Sequence, residues 1–206
     1  MPVNILVIYD PKGPAIEALA EAALKGATAS GVAEAVLKRV QEATLEDLLA
    51  ADALLLGSPN WSGVTGSLKL WLDETGDLWE DGSLAGKPAA AFTTGWGRHS
   101  GIEMTLLQLI HWLLACGMIV VGLPWTDRMR SSASYYGATA TGGVTPEDLV
   151  QAFLAILGEV HNLLFFDGPP RPVRMLPGTK RLLYVAIKQA PDGTILSALH
   201  DGKKFA

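Results

Sequence analysis

The chain has 206 residues, 49% hydrophobic and 18% charged, which excludes a disordered polypeptide and suits one or two compact domains. Its 21 acidic and 16 basic residues leave a formal charge of -5, which argues against a broad basic face for nucleic acid. The single cysteine, Cys116, excludes an internal disulfide and a thiolate metal cluster, and fits a reducing cytoplasm.

The first element is a nearly unbroken apolar run, Val3 to Tyr9, whose length and β-branched content predict a strand buried on both faces. A turn at Asp10-Pro11-Lys12-Gly13-Pro14 follows. Ile16, Leu19, Ala20, Ala23, Leu24 and Ala27 then recur at helical spacing, with Pro14 suited to the first turn. Gly31 separates that helix from a weaker strand at Ala35-Val36-Leu37. Glu46 to Ala50 reads as one helical turn, and Ala51 to Gly57 as a buried strand. A loop from Ser58 leads to Leu68, Leu70, Trp71 and Leu72, a helix ending before Gly76. Pro88 to Thr94 is the next strand, and Gly95 to Gly101 a glycine-punctuated loop. Ile102, Leu106, Leu109, Ile110, Leu113 and Leu114 give the clearest helical stripe. Gly117 closes it before a short buried strand, Met118 to Val121.

Pro124 to Gly143, rich in Ser, Tyr, Thr and Gly, reads as a long irregular loop, a length usually tied to function or mobility. Thr145-Pro146-Glu147-Asp148 opens a helix with a cap, a first-turn proline and acids at its positive end. Leu149, Phe153, Ile156, Leu157, Val160 and Leu164 continue it. Asp167 to Val173 reads as a stiff proline-rich linker. Leu182 to Ile187 and Thr194 to Leu199 flank Pro191-Asp192-Gly193, a hairpin signal.

No stretch reads as a membrane span. The most apolar one, Leu106 to Val121, is broken by Gln108, His111 and Gly117 and falls short of the roughly 20 residues required. The start, Met1-Pro2-Val3-Asn4, lacks the basic region of a signal peptide, so a cytoplasmic protein is expected. His99, His111, His161 and His200 show no paired spacing, and no metal site is expected. Alternating strands and helices imply an α/β fold with a parallel sheet covered on both faces. Ligands of such sheets bind beyond the carboxyl ends of the strands, here the loops at Asp10, Ser58 and Thr94.

Around these loops stand Gly57-Ser-Pro-Asn-Trp-Ser-Gly63, Thr65-Gly-Ser-Leu-Lys69, Leu72-Asp-Glu-Thr-Gly76 and Leu84-Ala-Gly-Lys-Pro88. Phe92-Thr-Thr-Gly95, Glu103, Gly117-Met118, Tyr136-Gly-Ala-Thr139 and Gly142-Gly143 follow in order. Together they resemble the flavodoxin superfamily, most nearly the tryptophan-repressor-binding-protein type of NAD(P)H:quinone oxidoreductase. The resemblance implies a three-layer flavodoxin-like fold with a five-stranded parallel sheet in the order 2-1-3-4-5. It makes residues 1–164 an FMN-binding domain, and leaves 165–206 as a Pro-rich linker and β-hairpin extension. It further implies electron transfer from NADH or NADPH through FMN to a quinone-like small molecule, in a homo-dimer or homo-tetramer.

Carried over by position, Lys12, Gly13, Ala15 and Ile16 would meet the FMN phosphate. Ser58, Pro59, Asn60, Trp61 and Gly63 would line the flavin ring, and Thr93, Thr94, Gly95, Trp96 and Gly97 the ring and ribityl chain. Taken without the resemblance, Trp61 equally well covers a loop, and Thr93-Thr94-Gly95 is turn chemistry. The first loop departs from the pattern. Asp10 to Ile16 contains no Ser or Thr, Pro11 and Pro14 lack amide donors, and an inward Asp10 would repel a phosphate. A flavodoxin-like binding or scaffolding module that has lost FMN, or a flavodoxin-type electron carrier, are therefore the alternatives. Cys116 falls where the family tends to carry a histidine, although a lone helical cysteine is usually buried filler. Arg98 and His99 are placed for dinucleotide phosphates or a charged flavin edge, or else for plain solvent. The insertion that many relatives place after the second strand is missing, which puts the usual tetramer in question.

Overall fold

The computed structural model describes residues 3–29, 33–123, 127–132 and 134–152, and the backbone of 184–189 and 195–200. β1 (Val3–Tyr9) is buried from Ile5 to Tyr9 because neighbours pair with it on both edges and helices cover both faces. The chain turns at residues 10–13 into α1 (Pro14–Ala29), then returns as β2 (Ala33–Arg39), parallel to β1. α2 (Leu45–Ala50) is held by a reciprocal cap between Thr44 and Asp47. It leads to β3 (Ala53–Pro59), which crosses to the other edge of β1 and is buried at all seven positions.

α3 (Gly66–Glu74) and α4 (Gly76–Glu80) follow, then β4 (Pro88–Gly95) against β3, and α5 (Ile102–Ala115). Gly117, at φ +70°, supplies the left-handed residue that ends α5. β5 (Ile119–Val120) then pairs with the start of β4. The order β2-β1-β3-β4-β5 is the expected 2-1-3-4-5.

Two elements differ from the sequence reading. α3 ends before Gly76 as expected, at Glu74 with Thr75 as its cap, but a further helix outside the sequence reading, α4, starts at once. The stretch 124–143 is not irregular throughout. It holds a 3-10 turn, Asp127–Arg130, and a strand, β6 (Ala138–Thr141), which lies parallel to Phe92–Gly95 of β4. The fifth position of the sheet is thus shared: β5 takes the first half of β4 and β6 the second. A helix over 146–152, here α6, starts as expected at a Thr145–Asp148 cap.

The side chains divide by strand alternation. Ile5, Val7, Tyr9, Leu55, Phe92, Ala138 and Ala140 pack under α1 through Ile16, Leu19, Ala20, Ala23 and Ala27. Leu6, Ile8, Leu54, Leu56, Ala89 and Ala91 pack on the other face against Leu68, Leu72, Leu106, Leu109 and Leu113 of α3 and α5. β7 (Tyr184–Gln189) and β8 (Ile195–His200) pair antiparallel, as the hairpin signal requires. The expected linker Asp167–Val173, the turn 191–193 and the continuation of α6 beyond 152 lie outside the described residues.

Candidate functional site

Parallel pairing brings the carboxyl ends of β1, β3, β4 and β6 to one edge, so the loops that follow them meet there. Between these loops opens a cleft of about 590 Å³. The first loop contributes Lys12, Gly13, Pro14 and Ala15, and the second Pro59, Asn60, Trp61 and Ser62. From β4 onward come Thr94, Gly95, Trp96 and Ser100, and from the fourth loop Gly142. Nine of the residues singled out in the sequence thus converge: Lys12, Gly13, Ala15, Pro59, Asn60, Trp61, Thr94, Gly95 and Trp96.

Ile16, Ser58, Gly63, Thr93 and Gly97 do not line the cleft. Ile16 faces the core under α1. The Ser58 hydroxyl donates to the Pro59 carbonyl at 2.9 Å and accepts the Thr65 amide at 3.1 Å, while Thr93 donates to the Ser58 carbonyl at 2.6 Å. Both side chains are fully buried and brace the loops from beneath. Pro14, Ser62, Ser100 and Gly142 are the lining residues that the sequence did not single out as site residues. Their only signal is that small or ring-constrained residues gather in loops. Ser62, at φ +61°, is the one non-glycine with positive φ among the described residues, so the tip of the second loop is held in a left-handed bend.

Asn60 sets the width of the cleft. Its Nδ2 donates to the Ser100 carbonyl at 2.7 Å and its Oδ1 accepts the Gly63 amide at 2.9 Å. Its own amide donates to the Thr94 carbonyl at 2.7 Å, and the Gly142 amide donates to Gly95 at 3.0 Å. The second and fourth loops are therefore tied to β4, and the second to the third. Replacing Asn60 with Ala removes both side-chain bonds at once, and at about 0.5–1.5 kcal/mol each the second loop is expected to loosen. Faster proteolytic nicking at residues 60–64 without a large fall in melting temperature would show this.

Two indoles stand at the rim. Trp61 is 68% exposed and Trp96 is 94% exposed, an arrangement that leaves two apolar faces in water beside a cavity. Asp10 does not face the cleft. It is fully buried, its Oδ2 accepting the Ser67 hydroxyl of α3 and its Oδ1 without a partner, with the Lys12 ammonium 3.9 Å away. The expected repulsion of a phosphate by an inward Asp10 is thereby reduced. Lys12 lines the cleft two residues before α1, whose first-turn amides of Ala15 and Ile16 have no helical partner.

Cys116 is distant in character from this site. It is buried with Leu109, Leu113 and Met118, and burial pushes its thiol up to about 11. A thiol with so little thiolate at neutral pH, enclosed by apolar side chains, is expected to stay unreactive toward Ellman's reagent until the protein unfolds. Stoichiometric reaction in native buffer would contradict that placement. Among the described residues no group of three or more His, Cys, Asp or Glu could hold a metal ion, and no helix is long and apolar enough to cross a membrane.

The chain belongs to the NADPH-dependent FMN reductase family, which matches residues 15–129. A Geobacter sulfurreducens protein named NAD(P)H dehydrogenase (quinone) is 34% identical over 173 residues, covering 68% of this chain and 85% of its own. A protein of that name from Archaeoglobus fulgidus is 42% identical over 114 residues, covering 55% and 60% of the two chains. Among solved structures, the flavodoxin-type WrbA-like protein of Agrobacterium tumefaciens superposes with a TM-score of 0.63 at 21% identity, covering 77% of this chain and 96% of that one. Flavodoxin 2 of Bacillus cereus gives 0.61 at 20% identity, covering 78% and 99%. The fold is that of the flavodoxins.

Proposed function

We propose that this chain binds FMN in the four-loop cleft and with it passes electrons from NADH or NADPH to a quinone-like small molecule. The observation that carries the reading is the cleft itself: two exposed indoles and the Thr94-Gly95 backbone at one end, and a lysine with a helix N-terminus at the other. When bound, FMN supplies the redox chemistry, taking a hydride from the nicotinamide and giving two electrons, with protons, to the quinone.

The residues present fit that group, with a changed anchor. Lys12 and the free amides of Gly13, Ala15 and Ile16 would hold the phosphate, in place of the hydroxyls that the first loop lacks. Trp61 and Trp96 would lie against the ring and keep bulk water from its faces. Thr94 and Gly95 would address its polar edge and ribityl chain. Asn60 works on the loops and not on the ligand, keeping the two tryptophan-bearing segments at a fixed separation.

The same reading makes residues 1–164 the flavin-binding domain and 165–206 an added linker and hairpin. It includes a cytoplasmic location, for which the support is the single buried thiol. It also includes a homo-dimer or homo-tetramer. Support comes from Trp96 at the mouth of the cleft and from Met104, Leu107 and Leu114, apolar residues left exposed along α5. Light scattering on a sizing column would show one chain mass if that is wrong.

The decisive test is simple. Purified protein should be yellow or turn yellow with FMN, and should oxidise NADH or NADPH when benzoquinone is present. A colourless protein that gives no heat on titration with FMN would instead support a binding module without a flavin.

A further inference from the structure

We propose that a second cavity, across the 96–101 loop from the flavin cleft, is a subsite for the diphosphate-bearing part of a dinucleotide co-substrate. This rests on the reading of the chain as an NADH- or NADPH-oxidising flavoenzyme. The cavity, of about 260 Å³, is walled by the 96–101 loop, the start of α5, residues 129–132, Ser134, β6 and the start of α6. Alternation along β6 sends Ala138 and Ala140 into the core under α1, so Thr139 and Thr141 face the other way, into the cavity.

Its two acids and two arginines balance in formal charge, but the acids are the more fully engaged. Two acids line it, Glu103 and Asp148, and both are engaged by the wall. Glu103 accepts the Ser134 hydroxyl at 2.6 Å. Asp148 accepts the Ser132 hydroxyl and the Thr145 amide, the latter at 2.9 Å. Each acid also sits in the first turn of a helix, where the dipole offsets its charge. The cations are less engaged. Arg98 gives one Nη2 bond to the Ser131 carbonyl at 3.0 Å and retains the rest of its five-donor fork. Among the described residues Arg130 pairs with Asp127 alone, at 3.7 Å on the open surface, and His99 lines the same cavity.

Size and position define the ligand. The volume suits a diphosphate with part of a ribose and is too small for a whole dinucleotide. The loop between the two cavities turns Trp96 and Ser100 to the flavin cleft, and Arg98 and His99 to the second cavity. A molecule that must present a ring to the flavin while anchoring a charged body one loop away matches this layout, and arginine forks match phosphate oxygens.

The test is calorimetry on the flavin-loaded protein with ADP-ribose, adenosine and inorganic pyrophosphate as separate probes. ADP-ribose should bind at least about tenfold more tightly than adenosine, and Arg98→Ala and Arg130→Ala should each weaken it about tenfold or more. FMN affinity should stay within about twofold in both variants, and the KM for NADH or NADPH should rise while kcat changes little. Pyrophosphate binding as tightly as ADP-ribose would show a site for small free anions and would overturn the dinucleotide assignment. Unchanged ADP-ribose affinity in both variants would also overturn it. Failure to load FMN, with arginine-dependent ADP-ribose binding intact, would remove the flavoenzyme reading and leave the subsite standing.

Discussion

Gly137→Ala is expected to lower stability by about 3 kcal/mol or more, enough to unfold much of the protein at growth temperature. A Cβ at this position would lie 2.1 Å from the carbonyl oxygen of Ala91 and 3.0 Å from its carbon. The obstacle is the backbone of β4, the strand to which β6 is paired, so no rotamer change relieves it. Gly137 also holds φ at +152°, where side chains are strained whatever the space. Overpacking costs about 1–3 kcal/mol and a forced backbone conformation about the same again. Gly66, at the first position of α3 with nothing near its missing Cβ, is the matched control, and Gly66→Ala should leave stability unchanged or slightly raised. Urea midpoints at constant m would report both. A normal midpoint for Gly137→Ala would mean that β6 does not lie against β4.

Lys12→Met is expected to weaken FMN binding by about tenfold to a hundredfold while leaving riboflavin, which has no phosphate, nearly unaffected. The first loop has few other donors. Pro11 and Pro14 carry no N–H, and the Lys12 amide is already given to the Asp10 carbonyl at 2.8 Å. A charge-assisted hydrogen bond contributes about 1.5–3 kcal/mol, which sets the size of the effect. Because the lysine is 46% exposed, added salt should erode the FMN preference over riboflavin in the native protein and do little in the variant. Quenching of flavin fluorescence measures all four affinities. Equal losses for the two flavins would move the role of Lys12 from phosphate recognition to holding the loop.

The succession of strands and helices was legible in the sequence because its signals are local, whereas the strand order came from the family resemblance. Apolar runs such as Val3–Tyr9 and the stripe on α5 announce themselves without reference to distant residues. β6 was not legible for the opposite reason. Ala-Thr-Ala-Thr alternates with period 2 over only four residues, too short a signal among turn residues, and it pairs with β4, more than 40 residues earlier, where Gly137 allows the close approach. The site was legible loop by loop but not atom by atom. A strand buried on both faces shows no period-2 alternation, so the sequence cannot say that Ser58 and Thr93 turn inward while Asn60 and Thr94 reach the cleft. Asp10 belongs to the same case, since only its bond to Ser67, 57 positions away, draws it below the loop.

The division of the outermost strand has a bearing on how copies of this protein behave when crowded. An uninterrupted border would offer a long ladder of free amides and carbonyls to any stray extended segment. On the β5/β6 side the border is cut into runs of two and four residues, whereas the opposite border, β2, is an unbroken run of seven. Neither run is long enough to template the growth of a fibre, so the break protects that edge, and any self-association through the sheet is left to β2.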